Sequence, residues 1–284
     1  MLVGAELGVE LVLECSGQYL TREKLEPFFA GGAKRVVVSA ACKGDILNVV
    51  YGCNHDEYDP EDPKHHIVTA ASCTTNCIAP PIKVIKENIG IVHGSITTMH
   101  CITNTQPLVD AIVGKKADPR RARSGMNNLA PTSTNSATAI TMIYPDLKGK
   151  LNGMAVRIPL MYASLTDLTL ELARPTTSEE VNGFLEAASK SAPLAGILGF
   201  ETKPLVSSDY RCGMRVLICP SWPTTLCRAR LPLCWALVCA CLRPKHLRLV
   251  LTWAWLCLPA CLPCVCCSAR IRVQELWMRC RQWS

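Results

Sequence analysis

Ala71-Ser72-Cys73-Thr74-Thr75-Asn76-Cys77 is the stretch on which the reading of this chain turns. It follows a β-rich run, His66–Ala71, and precedes a helical run that begins at Thr74, reaches about Asn88 and is closed by Gly90. Strand, short link and helix in that order set one thiol, Cys73, at the positive end of a helix. Unpaired backbone N–H groups and the macrodipole favour a thiolate there. His100 falls in the next strand-like run, Ile96–Ile102. A helix and a return strand are enough chain to bring the two side chains together as a nucleophile and its base.

Upstream, Glu10–Cys15, Arg35–Ser39 and Asn48–Gly52 read as strands and Thr21–Phe29 as a helix ended by Gly31-Gly32. Runs of consecutive β-branched residues suit a parallel sheet buried on both faces. Downstream, Gly94–Thr103, Leu151–Pro159 and Thr166–Leu172 are long and alternating, which predicts a mostly antiparallel sheet. Thr177 and Glu180 form a capping box that opens a helix over Glu179–Lys190.

Charge divides the chain near Arg211. Residues 1–210 carry 19 Lys+Arg against 22 Asp+Glu, whereas 211–284 carry 11 Lys+Arg and one acid, Glu275, so the overall +7 belongs to the tail. The tail also holds all six Trp and 12 of the 18 Cys. Neither the charge nor the cysteine count therefore speaks for nucleic-acid binding or an oxidising compartment. Six scattered cysteines in the rest fit a reduced, cytoplasmic protein. Leu249–Cys267 has the length of a membrane span, but Pro259, Pro263 and five Cys interrupt it, so no membrane is expected. The Cys261–Cys267 cluster lacks spaced pairs, and His65-His66 lacks further ligands, so no metal is expected. Three readings stay open for 212–284: an out-of-frame or mis-spliced translation, a hydrophobic anchor, or a folded extension. The joint loss of acids and gain of Trp, Cys and Arg favours the first, with a disordered or poorly packed tail.

The motifs around Cys73 resemble the glyceraldehyde-3-phosphate dehydrogenase family. The matching words, in order from about Glu10 to Arg211, are Gly31-Gly32-Ala33-Lys34-Arg35-Val36, Ala71–Cys77, Thr97-Thr98-Met99-His100, Gly149–Pro159, Gly196-Ile197-Leu198-Gly199-Phe200 and Ser207-Ser208-Asp209-Tyr210. The resemblance implies an α/β plus α+β architecture: the C-terminal half of a Rossmann-type parallel sheet in 1–72, a mostly antiparallel catalytic domain in 73–211, and an unrelated tail in 212–284. The Gly-rich pyrophosphate turn that opens the family's chain has no counterpart here, since Gly4 and Gly8 lack the spacing and the third glycine. An N-terminally truncated member is therefore expected, with catalytic inactivity as the alternative.

The resemblance also implies roles. Cys73 is the nucleophile and His100 the general base of an NAD-dependent, phosphorylating oxidation of glyceraldehyde 3-phosphate, with NADP also allowed as cofactor. Ser72, Thr74, Thr134 and Asn135 match the site of the attacking inorganic phosphate. Thr103, Thr105 and Arg157 match the site of the substrate's own phosphate. Ser16, Gly17, Ser39, Ala40 and Asn104 match positions on the nicotinamide side of the cofactor. Asn135 replaces a glycine usual in the family, and Thr105 an aspartate common in bacterial relatives. The Thr103-Asn104-Thr105-Gln106 and Asp118–Arg123 words look most like the arsenate-associated branch, in which arsenate replaces phosphate. The basic loop of Lys115, Lys116 and Arg120–Arg123 reads either as a solvated loop or as cover for a neighbouring subunit's cofactor. The family forms homotetramers, an assembly doubtful for this chain. Cys77, one helical turn from Cys73, reads as a packing residue rather than a resolving thiol.

Overall fold

The computed structural model describes residues 8–42, 44–112, 118–132 and 134–210, together with the backbone of 216–218 and 232–238. Described residues up to Ser72 belong to one compact unit and those from Cys73 onward to a second.

The first unit is a four-stranded, all-parallel sheet. Strand β1 (Leu11–Glu14) leads to helix α1 (Arg22–Ala30), then β2 (Arg35–Val38), β3 (Leu47–Asn48) and β4 (Ile67–Thr69), in the spatial order β1-β2-β4-β3. Val36, Val38 and Ile67 are fully or almost fully buried with Leu25 of α1, Cys42 and Ile46. The β-branched runs of β2 and β4 supply that core, while Leu13 of β1 stays exposed. Strand β3 stops earlier than the expected Asn48–Gly52. Asn54 is the cause: its Oδ1 accepts from Val50 N at 2.8 Å and its Nδ2 donates to Asn48 O at 2.9 Å. That side chain offers the backbone a turn in place of a ladder, and Gly52 takes the left-handed φ of 82° within it.

The second unit begins with helix α2 (Cys73–Asn88), followed by β5 (Ile91–His100), β6 (Ala130–Thr132), α3 (Ser136–Ile143), β7 (Leu151–Arg157), β8 (Ser164–Leu172), α4 (Ser178–Lys190) and β9 (Leu198–Phe200). Two further strands, β10 (Val216–Ile218) and β11 (Pro232–Val238), complete a seven-stranded mixed sheet in the order β6-β7-β5-β8-β11-β10-β9. Antiparallel pairs predominate, but β5 runs parallel to β7 and β10 parallel to β9. The rest of 211–284, including Leu249–Cys267, lies outside the described residues. No helix among the described residues is long and apolar enough to cross a membrane.

Helix α2 packs against α3, α4, β5 and β8. Ile78, Ile82 and Ile85 recur at helical spacing and are essentially solvent-free, as are Ile96 of β5 and Leu168 and Leu170 of β8. Pro80 and Pro81 sit inside the helix, so the carbonyls of Asn76 and Cys77 lose their usual i+4 donors. The helix ends where Gly90, at φ 88°, donates to Ile85 O. Thr177 caps α4 by accepting from Glu180 N at 3.2 Å. The Glu180 carboxylate engages Arg174, Thr176 and the Thr177 backbone in return, which holds it well below its usual range, at about 2.

Candidate active site

Cys73 is the first residue of α2 and is exposed. The link before it is tight: Ala71 adopts φ 55°, a conformation uncommon for a residue with a Cβ and worth attention where it adjoins a reactive side chain. Ser72 and Thr74 flank the cysteine along the chain, and Thr74 is buried.

The last residue of β5 brings the base. His100 Nε2 lies 3.6 Å from Cys73 Sγ. Because β5 and β7 are parallel in the register Gly94↔Leu151 to His100↔Arg157, their final residues come side by side. Arg157 Nη1 is 2.8 Å from His100 Nδ1, 3.0 Å from Cys101 O and 3.5 Å from Thr103 Oγ1. Thr103 and Thr105 hydroxyls are 2.9 Å apart. Thus Cys73, His100, Arg157, Thr103 and Thr105 converge, and Asn104 sits in the same exposed turn. Arg157 Nε is buried with no partner among the described residues. A buried donor left unpaired costs free energy unless a ligand satisfies it.

Burial is the main force on the imidazole. It pushes His100 down to about 4, with the Arg157 and Arg121 guanidiniums adding to the effect and the Cys101 carbonyl opposing it. Burial likewise lowers Arg157, helped by Arg121. Arg121 is the residue that sequence reasoning missed as part of the site. Its neighbours Arg120 and Arg123 are taken by Asp118 and Asp110, while Arg121 forms no ion pair among the described residues. The available signal was the count of acids: two nearby aspartates cannot pair all three arginines of the loop. Cys77 is fully buried, and desolvation pushes its thiol up to about 12, as a packing residue's should be.

The remaining predicted residues occupy two places. Thr134 and Asn135 lead into α3, with Thr134 Oγ1 2.6 Å from Ser136 Oγ and accepting from Ser136 N at 3.1 Å, and Asn135 exposed at the cap. α3 packs on α2. Ser16, Gly17, Ser39 and Ala40, in the first unit, follow the carboxyl ends of the adjacent strands β1 and β2. The Glu14 carboxylate accepts from Ser16 N at 2.8 Å and Gly17 N at 3.1 Å, fixing that turn. Gly17 is at φ 73° with open space where a Cβ would stand. His65, in the same unit, accepts from Asp59 N through Nδ1 at 2.9 Å. Among the described residues no group of three or more His, Cys, Asp or Glu could hold a metal ion.

Comparison with known proteins identifies the family. Residues 72–231 match the family model of the glyceraldehyde 3-phosphate dehydrogenase C-terminal domain. The chain is 58% identical over 206 residues to glyceraldehyde-3-phosphate dehydrogenase 3 of Nostoc sp., covering 72% of this chain and 60% of that protein. It is 44% identical over 209 residues to glyceraldehyde-3-phosphate dehydrogenase of Geobacillus stearothermophilus, covering 74% and 61%. To the chloroplastic A form of Zea mays it is 45% identical over 208 residues, covering 73% and 50%. The chain thus spans 50–61% of the length of these relatives. With a family-model match over residues 72–231, more than half of the chain and a range that includes Cys73, His100 and Arg157, the chain belongs to the glyceraldehyde-3-phosphate dehydrogenase family.

Proposed function

We propose that this chain carries the thiol chemistry of an NAD-dependent, phosphorylating oxidation of glyceraldehyde 3-phosphate. The observation that carries the proposal is the 3.6 Å approach of Cys73 Sγ to His100 Nε2 beside the unpaired Nε of Arg157. An aldehyde releases hydride only after its carbon becomes tetrahedral. Cys73 attacks that carbon to give a thiohemiacetal, His100 accepts the thiol proton and donates it to the developing oxygen, and the same imidazole takes that proton again as hydride departs and the carbonyl reforms. Bound nicotinamide, from NAD or NADP, would accept the hydride. The thioester left on Cys73 is opened by an oxyanion seated near Ser72, Thr74, Thr134 and Asn135, releasing an acyl phosphate. Arsenate, a tetrahedral oxyanion of similar shape, suits the same donors. Arg157, Thr103 and Thr105, with Arg121 beside them, hold the phosphate end of the aldehyde.

The residues assigned to the cofactor fit its nicotinamide side. Ser16, Gly17, Ser39 and Ala40 follow the carboxyl ends of adjacent parallel strands, where open α/β sheets take their ligands, and Gly17 leaves the space that a ring or amide would fill. On this reading 1–72 is the second half of a dinucleotide-binding unit, 73–211 the catalytic domain, and 212–284 a separate tail. The family's homotetramer and a cytoplasmic location remain part of the same proposal.

Turnover decides it. Purified chain given NAD, phosphate and glyceraldehyde 3-phosphate should form NADH, and Cys73→Ser should reduce the rate to background. A chain that forms no NADH and no covalent thioester on Cys73 would instead be an inactive relative.

A further inference from the structure

We propose that Ser164 is a positioning residue for the base: its hydroxyl holds the Cys101 backbone so that the Cys101 carbonyl receives the Nδ1 hydrogen of His100 and the other ring nitrogen, Nε2, faces Cys73. The inference rests on the reading of Cys73 and His100 as the reactive pair and names what keeps the imidazole aimed.

His100 Nδ1 lies 2.7 Å from Cys101 O. A carbonyl oxygen accepts and cannot donate, so a bare Nδ1 would set two acceptors face to face. Nδ1 therefore carries a hydrogen, both when the ring is a neutral base toward sulfur and when it is an imidazolium. Arg157 Nη1 also donates to Cys101 O, at 3.0 Å. Its 2.8 Å approach to Nδ1 is then a meeting of two donors around one shared acceptor, whose two lone pairs serve both. Such an arrangement holds only while the oxygen stays between them. With the oxygen displaced, imidazole and guanidinium oppose each other directly. Burial and the Arg157 and Arg121 guanidiniums disfavour charge on the ring, and the Cys101 carbonyl works against them.

That carbonyl belongs to a backbone anchored by three bonds. Ile158 N donates to His100 O at 3.0 Å, Cys101 N donates to Ser164 Oγ at 3.1 Å, and Ile102 N donates to Leu160 O at 3.0 Å. Peptide units are planar, so these bonds fix the two planes that meet at Cys101 and with them the direction of its carbonyl. Of the three, the Ser164 bond is the one made by a side chain. Strand β8 is shaped to deliver it. The β5–β8 ladder ends at Met99↔Leu165, and Ala163, at φ 60°, leaves the extended path while packed with Tyr210 and Leu205. A residue with a Cβ keeps that conformation only where its surroundings impose it. The Ser164 hydroxyl also bonds the Cys101 thiol, so its hydrogen and a lone pair are both engaged. Around the ring, the charged and titratable groups are Cys73 of α2, Arg157 of β7, Arg121 of the basic loop and the Cys101 thiol.

The test is the pH dependence of Cys73 alkylation in the full chain, read by mass spectrometry of the Cys73 peptide after brief exposure to iodoacetamide over roughly pH 5 to 9. Removing the Ser164 oxygen loosens the carbonyl and weakens its support for a charged ring, and so for the thiolate beside that ring. In Ser164→Ala the midpoint should rise by about 0.5, which lowers the rate about threefold on the acid side. Ser164→Thr, which keeps the oxygen, should restore the native profile. A purely structural hydroxyl would lower the urea midpoint and leave the profile where it was, so superimposable profiles for native chain and Ser164→Ala overturn the inference. A folded Ser164→Thr that behaves as the alanine variant does so too. Should Ser164→Ala not fold, Ser164→Val, of the same shape as threonine, takes its place. In the native chain 15N-labelled histidine, with His100→Asn identifying the resonance, should show Nδ1 protonated, and a bare Nδ1 overturns the inference whatever the variants do. A native Cys73 that titrates as an unassisted thiol removes the reactive pair and the inference together, whereas a low native midpoint unmoved in Ser164→Ala removes the inference alone.

Discussion

Replacing His100 by Asn should abolish a specific part of the chain's acid sensitivity. The folded imidazole titrates at about 4, against roughly 6.5 for an unfolded histidine. Below 6.5 the unfolded chain therefore binds a proton that the folded chain refuses, so stability falls as pH drops from 6.5 toward 4 and is unaffected above that window. Integrating the linkage gives a loss of about 2 kcal/mol between pH 7.5 and 5, approaching roughly 3 kcal/mol below pH 4. Contributions from carboxylates such as Glu180 are common to both proteins and cancel in the comparison. The assay is urea unfolding followed by far-UV circular dichroism, chosen because all six Trp lie beyond Arg211. Measured at pH 7.5 and 5, the native chain should lose about 2 kcal/mol more than His100→Asn. Equal losses, within about 0.5 kcal/mol, would mean that the ring is as easily protonated in the fold as outside it, and the electrostatic account of the site would fail.

Leu168 is fully buried at the centre of the larger sheet, and Leu168→Ala should cost about 2–5 kcal/mol in the same unfolding assay. Thr177→Ala removes the cap on Glu180 N and should cost about 1 kcal/mol, with only a small change in the dependence on urea. Iodoacetamide at pH 7.5 should modify Cys73 more than ~100-fold faster than Cys77, whose thiol is solvent-free and raised to about 12; fragment-ion mass spectrometry of the peptide containing both reads the ratio.

Local features were legible where a residue's conformation depends on its chain neighbours. The start of α2 at Cys73, its end before Gly90 and the Thr177 cap follow from hydrogen-bonding chemistry spelled out within a few residues. So do the β-branched strands β2 and β4. Strand β3 was overestimated because Asn54, four residues past Val50, competes for backbone groups that periodicity counts as ladder partners. The nearness of Cys73 and His100 was legible by motif, and the two side chains do meet at 3.6 Å. The partnership of Arg157 with His100 spans 57 residues and depends on strand register, for which the residues themselves carry no short-range signal. Arg121 was hidden for a related reason: three arginines in six residues look alike until the fold shows which two meet aspartates.

The parallel pairing of β5 and β7 does what an antiparallel pairing could not. Two antiparallel neighbours bring one strand's end to the other's beginning, as β8 does here: Ser164, its first residue, accepts from Cys101 N at 3.1 Å. Two parallel neighbours bring end to end. His100 and Arg157 are both the last residues of their strands, and the chain that leaves β5 carries Thr103 and Thr105 to the same rim. The helix that precedes β5 starts at that rim, which places Cys73 beside the strand's far end. Register is then the quantity on which the chemistry depends. A slip of one residue between β5 and β7 would turn the side chain beside His100 to the opposite face of the sheet. Arg157 would be lost from the imidazole and from the hydroxyls together, so the base and the anion site stand or fall as one arrangement.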